Sequence, residues 1–216
     1  DVERSRGLGD VYKRQGLSQC ELATQKALEF ARNRKQGHAK IDNRKGVILD
    51  HPDVRRMLIT MKSLTAAVRA LCLDAALSLD LSKSNDKQTA SKENARASFL
   101  IPIAKAFSTD IGCRVADIGI QVHGGMGYVE ETGVAQVFRD VRVTAIYEGT
   151  NGIQAIDLVG RKLADSGKAA NGLIDEMKLT ISNCKNHEDQ QIREMGTRLS
   201  KSLLCLEDTL NWMLEQ

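Results

Sequence analysis

The stretch His51–Leu81, HPDVRRMLITMKSLTAAVRALCLDAALSLDL, decides the fold. Its apolar positions Val54, Met57, Leu58, Met61, Leu64, Val68, Leu71, Cys72, Ala75, Ala76 and Leu79 recur at intervals of three and four, the spacing of one helix face. Pro52 suits the first helical position, where its missing amide hydrogen costs nothing, and Asp53 adds an acid to the first turn. A helix of about 30 residues is the length of a bundle helix rather than an ordinary globular one.

The pattern repeats on both sides. Leu17, Cys20, Ala23, Ala27, Phe30 and Ala31 mark a first helix over Leu17–Asn33. Between the two helices, RKQGHAKIDNRKG (residues 34–46) carries five Lys/Arg and two Gly without periodicity and reads as an exposed loop. After Leu81 the polar segment SKSNDKQTASKEN breaks or frays the pattern. A third series follows at Ile103, Ala106, Phe107, Ile111, Val115, Ile118 and Val122, with Pro102 either kinking that helix or opening it. A Gly-rich region over 119–152 leads to a fourth helix from about Asn151 to Asp165. The expected fold is all-α, an up-and-down four-helix bundle with additional C-terminal helices over 173–184 and from Ile192 onward.

Three segments are expected: a non-native or disordered tail over 1–15, a bundle domain over 16–166, and a truncated helical extension over 167–216. The tail DVERSRGLGDVYKRQ lacks periodicity and a cap. The last apolar series (Ile192, Met195, Leu199, Leu203, Leu206, Leu210, Met213) is still running near Gln216, so the chain is expected to stop within an element.

Bulk composition excludes several function classes. The 216 residues are 42% hydrophobic, enough for a real core, and 31 basic against 28 acidic residues leave a formal charge of +3, too near balance for a nucleic-acid or anionic-membrane surface. Two prolines and eight aromatic residues disfavour a sandwich or barrel of short strands. The five cysteines (Cys20, Cys72, Cys113, Cys184, Cys205) are widely spaced, with no CxxC pair and no His at ligand distance. They read as buried thiols in a reducing, cytoplasmic compartment rather than as disulfides or a zinc site. No apolar run approaches the roughly 18 residues that span a bilayer.

Two short constellations could carry chemistry. In GIQVHGGMGY, Gly124, Gly125 and Gly127 follow a helix. They serve either as a C-cap and turn or as bare backbone that a ligand can approach, with Gln121 and His123 offering hydrogen bonds. His123 alone reads as packed and satisfied, with no metal assigned. Arg139, Asp140 and Arg142 read as a salt-bridged face.

In AIYEGTNGIQ (Ala145–Gln154) one carboxylate, Glu148, stands between an apolar lead-in and a permissive turn. Burial beside Ile146 and Tyr147 would raise its pKa, whereas a helix start capped by Thr150 or Asn151 would favour its charged form. Glu148 is therefore either an acid stabilising a helix dipole or a base able to take a proton from carbon once substrate excludes water.

Taken together, IQVHGGMGY, FRDVRVTAIYEGTNGIQ about ten residues later, the preceding long helix and NRKQG resemble the C-terminal helical domain of the acyl-CoA dehydrogenases over residues 17–166. HPDVRRMLITMKSL and the C-terminal extension are most similar to the branch that includes 3-methylmercaptopropionyl-CoA dehydrogenase. The resemblance implies an FAD enzyme that oxidises the Cα–Cβ bond of an acyl-CoA to a trans-2-enoyl-CoA. It implies Glu148 as catalytic base, Gly149 against the thioester, and Thr150, Asn151 and Gly152 against the flavin. Gln121, Val122, His123, Gly124 and Gly125 would meet the adenosine end of FAD, generally that of a neighbouring subunit, and Arg34 its phosphates, although RKQG departs from the family's RxxFG.

The resemblance further implies a homodimer or homotetramer and an electron-transfer flavoprotein as acceptor. The N-terminal helical and middle β-domains of the family have no counterpart in this sequence, so the chain is expected to be a fragment that binds FAD poorly by itself. The competing expectation is a non-catalytic helical bundle serving as an oligomerisation module.

Overall fold

The computed structural model describes the backbone at residues 2–37, 46–147 and 149–215, and side chains from Gln15 onward within those ranges. Among the described residues the chain is helical, with one isolated antiparallel bridge between Lys35 and Val47. In chain order the α-helices are α1 (Val2–Asn33), α2 (Pro52–Leu81), α3 (Lys87–His123), α4 (Gly125–Tyr128), α5 (Val134–Thr144), α6 (Asn151–Asp157), α7 (Lys168–Lys185) and α8 (Gln190–Leu214). Short 3-10 turns occupy Ile48–Asp50 and Glu130–Thr132, and a π turn, Leu158–Lys162, continues α6.

The chain divides into two compact units, residues 1–77 with 101–154, and residues 78–100 with 155–216. The first is built on one apolar core. Cys20, Ala23, Ala27 and Ala31 of α1 meet Met57, Leu58, Met61, Val68 and Cys72 of α2, Val115, Ala116 and Val122 of α3, and Val137 and Val141 of α5. Met61, Val68 and Val115 are wholly buried, each worth about 1.5–3 kcal/mol relative to exposure. Small residues bring α1 close to α3, where a Cβ on Gly16 would lie 2.6 Å from the Ser108 carbonyl oxygen, and α5 close to α3, where one on Gly112 would lie 2.7 Å from Val141. The second unit packs α7 against α8 through Ala170, Ile174, Ile181, Leu203 and Leu210, with Leu163 and Phe99 against the same core.

The helical class and the 52–81 helix match the sequence reading, and three boundaries differ. Helix α1 begins at Val2, where periodicity placed the start at Leu17; elongation of an existing helix adds a hydrogen bond per residue and needs no apolar face. The polar segment after Leu81 is a turn only to Asp86. That side chain accepts from Gln88 N (3.3 Å) and Thr89 N (3.0 Å), so α3 starts at Lys87, and the Thr89 hydroxyl first, then these backbone donors, hold the Asp86 carboxyl below its usual range. Pro102 does not open α3; it lies wholly buried inside it.

The fourth helix of the bundle is α5, not residues 151–165: α6 buries none of its residues, whereas α5 buries Val134, Ala135, Val137 and Val141. The cysteines are all free thiols, but only Cys20 and Cys72 are buried and Cys205 is exposed. Burial, aided by neighbouring Cys72 and Cys113, pushes the Cys20 thiol up to about 12.

Candidate active site

Helix α5 ends at Thr144, and α6 begins at Asn151; the described residues between them are 145–147, 149 and 150. Ile146 N and Tyr147 N both donate to the Val143 carbonyl, at 3.0 and 3.2 Å, and Gly149 takes φ +86°, a left-handed conformation that favours glycine. Thr150 is the cap expected at the start of α6: its Oγ1 accepts from Ile153 N at 3.4 Å, while its carbonyl accepts from Gln154 N at 3.0 Å. Glu148 lies outside the described residues.

The turn is fastened to α3 by a polar cluster. Lys105, 93% buried, donates from Nζ to the Gly149 carbonyl at 2.9 Å and to Asn151 Oδ1 at 2.8 Å. Asn151 Nδ2 donates to Asp110 Oδ1 at 2.7 Å and to Thr109 Oγ1 at 3.1 Å, so its whole amide is engaged with α3. The phenol of Tyr147 donates to Gln15 Oε1 on α1. A buried cation is tolerated only with such partners, since desolvation alone would cost several kcal/mol.

Beside the cluster opens a pocket of 430 Å³, lined by Asp110 and Cys113 of α3, Arg142 of α5, and Ala145, Ile146, Thr150 and Asn151 of the turn. Those turn residues flank Glu148 in sequence on both sides. Burial pushes the Cys113 thiol up against the opposing pull of the Arg142 guanidinium. Of the expected salt-bridged face, Arg139 Nη2 pairs with Glu130 Oε2 at 2.7 Å, whereas Asp140 accepts from the neutral Gln136 Nε2 at 2.5 Å and Arg142 lines this pocket.

The glycine turn stands elsewhere, at the C-terminus of α3. Gly124 N donates to the Gln121 carbonyl at 3.1 Å, and Gly124 has φ 60° and ψ −139°. Val122 is in the core and Gln121 is exposed. The His123 ring is buried: its Nδ1–H donates to the Gly119 carbonyl at 2.8 Å and its face stacks on Phe30 at a centroid distance of 4.3 Å. Burial, together with the nearby Lys26 cation, holds its pKa below the ordinary value despite the Gly119 hydrogen bond. The stack brings the end of α1 to the end of α3, and with it Arg34, whose N–H donates to the Phe30 carbonyl at 2.8 Å. Arg34 is exposed.

The candidate residues thus form two groups on one helix. Gly149, Thr150 and Asn151 meet α3 near Thr109. Arg34 and Gln121–Gly125 gather at its C-terminal end, about 21 Å away at 1.5 Å per residue. Gly152 is exposed on α6.

The three glycines of GGMG differ. A Cβ on Gly127 would lie 2.4 Å from the Ile120 carbonyl oxygen, and Gly124 needs its positive φ. At Gly125 φ is not positive and nothing lies within 4 Å of an added Cβ, so no contact within the described chain demands glycine there. Open backbone of this kind fits the close approach of a flat or phosphorylated cofactor. Lys105 is the residue sequence reasoning missed; a lysine amid the apolar series of α3 was its one signal. Among the described residues no cluster of three His, Cys, Asp or Glu could hold a metal, and no helix is long and apolar enough to cross a membrane.

The chain is a helical bundle with a capped turn after its fourth helix and an open glycine turn at the end of its third, and residues 14–163 match the family model described as "Acyl-CoA dehydrogenase, C-terminal domain". The chain belongs to that family. It is 45% identical over 159 residues, 72% of its length, to 3-methylmercaptopropionyl-CoA dehydrogenase of Ruegeria pomeroyi. It is 36% identical over 168 residues to a butyryl-CoA dehydrogenase of Syntrophomonas wolfei; it spans 27% of the length of each of these two relatives. Among solved structures, butyryl-CoA dehydrogenase from Megasphaera elsdenii superposes with a TM-score of 0.57 at 29% identity, covering 70% of this chain and 35% of that one.

Proposed function

We propose that the chain is the base-bearing C-terminal domain of an FAD-dependent acyl-CoA dehydrogenase that converts an acyl-CoA thioester to its trans-2-enoyl-CoA. The observation that carries this reading is the fastening of the Gly149–Asn151 turn to α3 beside a 430 Å³ pocket whose turn-side walls flank Glu148 in sequence. Glu148 takes the α-proton, and the thioester oxygen is held by backbone N–H of the same turn, where enolate charge would otherwise be exposed. FAD, when bound, would supply the acceptor for the hydride leaving Cβ; the electron pair of the broken Cα–H bond becomes the π bond of the enoyl product and the proton resides on the carboxylate. Gly149 lies against the thioester, and Thr150, Asn151 and Gly152 lie against the flavin, Asn151 through its backbone because its side chain is engaged by α3.

In the same reading Gln121–Gly125 and Arg34 receive the adenosine and phosphate end. The backbone does most of this at Val122 and His123, whose side chains are packed inside. Exposed Ile59, Leu73 and Leu77 on α2 support a homodimer or homotetramer. An electron-transfer flavoprotein is the proposed acceptor, and the cytoplasm the proposed compartment. In the full-length enzyme, Glu148→Gln lowers the rate of flavin reduction by acyl-CoA by roughly 100- to 10,000-fold while FAD stays bound. Stopped-flow absorbance of the flavin band checks this; normal reduction kinetics would leave only an oligomerisation module.

A further inference from the structure

Lys105 stands apart from every other lysine in the structure. It is the only buried one among the described residues, and it sits on the inward face of α3 where Ala104, Ser108 and Thr109 are also buried. Its ammonium reaches across to a turn 44 residues later in the chain and meets both ends of that turn's tightest part: the Gly149 carbonyl and the Asn151 side chain. An apolar residue would have served a core position at no desolvation cost. A surface cap for the turn would not have needed burial.

We propose that Lys105 is the positioning residue of the catalytic turn, clamping the Gly149–Thr150 peptide and the Asn151 side chain so that the turn carrying Glu148 is held to α3 in one fixed orientation. The assignment rests on the reading of Glu148 given above. Gly149 follows Glu148 directly, so the Gly149 carbonyl held at 2.9 Å fixes the plane of the next peptide; Asn151, held at 2.8 Å, fixes the start of α6. Gly149 takes φ +86°, a region glycine populates about as readily as the right-handed one, so its own backbone does not select this conformation and a contact that does adds order. Asp110 and Arg142, the charged groups of α3 and α5 that line the adjacent pocket, complete the polar surroundings; Asp110 steadies Asn151 from its Nδ2 side.

The test uses the full-length flavin-loaded enzyme. Lys105→Met lowers the first-order rate of flavin reduction per bound FAD, at saturating acyl-CoA, by about 100-fold, the size expected of a displacement of about 1 Å at the reacting centre. The dissociation constant for acyl-CoA changes little, and the isotope effect with α-deuterated substrate rises because proton abstraction becomes more fully limiting. Lys105→Arg, which keeps a cationic donor, restores part of the rate.

Unchanged rate per bound flavin and unchanged isotope effect in Lys105→Met, with only a lower melting temperature, would overturn the proposal and leave Lys105 a structural residue. Should Lys105→Met not fold, Lys105→Gln, whose neutral amide stops one atom short of the ammonium and so cannot reproduce its paired contacts, reads the same two quantities. Glu148→Gln measured alongside separates the two ideas: its loss of reduction with unaltered Lys105 variants sinks the clamp alone, and its normal reduction sinks the underlying assignment.

Discussion

At the scale of single residues, the glycines of GGMG divide by what surrounds them. Gly127 is glycine because the Ile120 carbonyl leaves no room for a methyl group at 2.4 Å, and backbone does not yield as a flexible side chain would. Gly125 has open space around it and no positive φ. Gly127→Ala is therefore expected to destabilise the first unit by about 1–3 kcal/mol. Gly125→Ala leaves the melting temperature unchanged or slightly raised, since alanine loses less conformational freedom in a helix. Its effect is expected instead on FAD affinity in the full-length enzyme, measured by flavin retention on dialysis; full retention would remove Gly125 from the cofactor surface. His123 follows the bland reading of the sequence, as its ring is buried, stacked on Phe30 and satisfied by Gly119. A lone histidine at helix spacing carries no mark of which ring it stacks on, so that much was invisible beforehand.

At the scale of elements, caps and stripes explain most boundaries. Helix α8 starts where Asp189 accepts from Gln191 N at 2.7 Å, and α7 buries Ala170, Ile174 and Ile181 against it. Asp189→Ala is expected to cost about 1 kcal/mol, read as a shift of the urea midpoint at constant slope; no shift would mean that Gln190 and the following residues find another cap. Helix α5 shows how a legible signal is passed over. VAQVFRDVRVT places Val134, Val137, Phe138 and Val141 at helical spacing, yet its flanking glycines made the segment read as part of one long turn region. Asn151–Asp165 drew the opposite error, because a helix start after EGTN is easy to read whereas the absence of a buried face is not.

At the scale of the whole molecule, each unit has its own apolar core, one from α1, α2, α3 and α5 and the other centred on α7 and α8. Two separate cores predict two cooperative units. Leu203→Ala, at a side chain only 5% exposed in the second core, is expected to cost about 2–5 kcal/mol there. Hydrogen exchange should show lost protection in α7 and α8 with α1 and α5 amides retained; uniform loss would mean a single cooperative fold.

What the amino-acid order determined alone is carried by near neighbours: the helical class, the long 52–81 element, the Thr150 cap and the GGMG turn. Each of these depends on residues a few positions apart, where periodicity and backbone preference act. Which helix fills the fourth place in the bundle, which of three adjacent glycines is crowded, and the burial of Lys105 against a turn 44 residues away were decided only by tertiary packing. A hydrogen bond across that separation leaves no repeat in the sequence, since its geometry exists only after the helices have met.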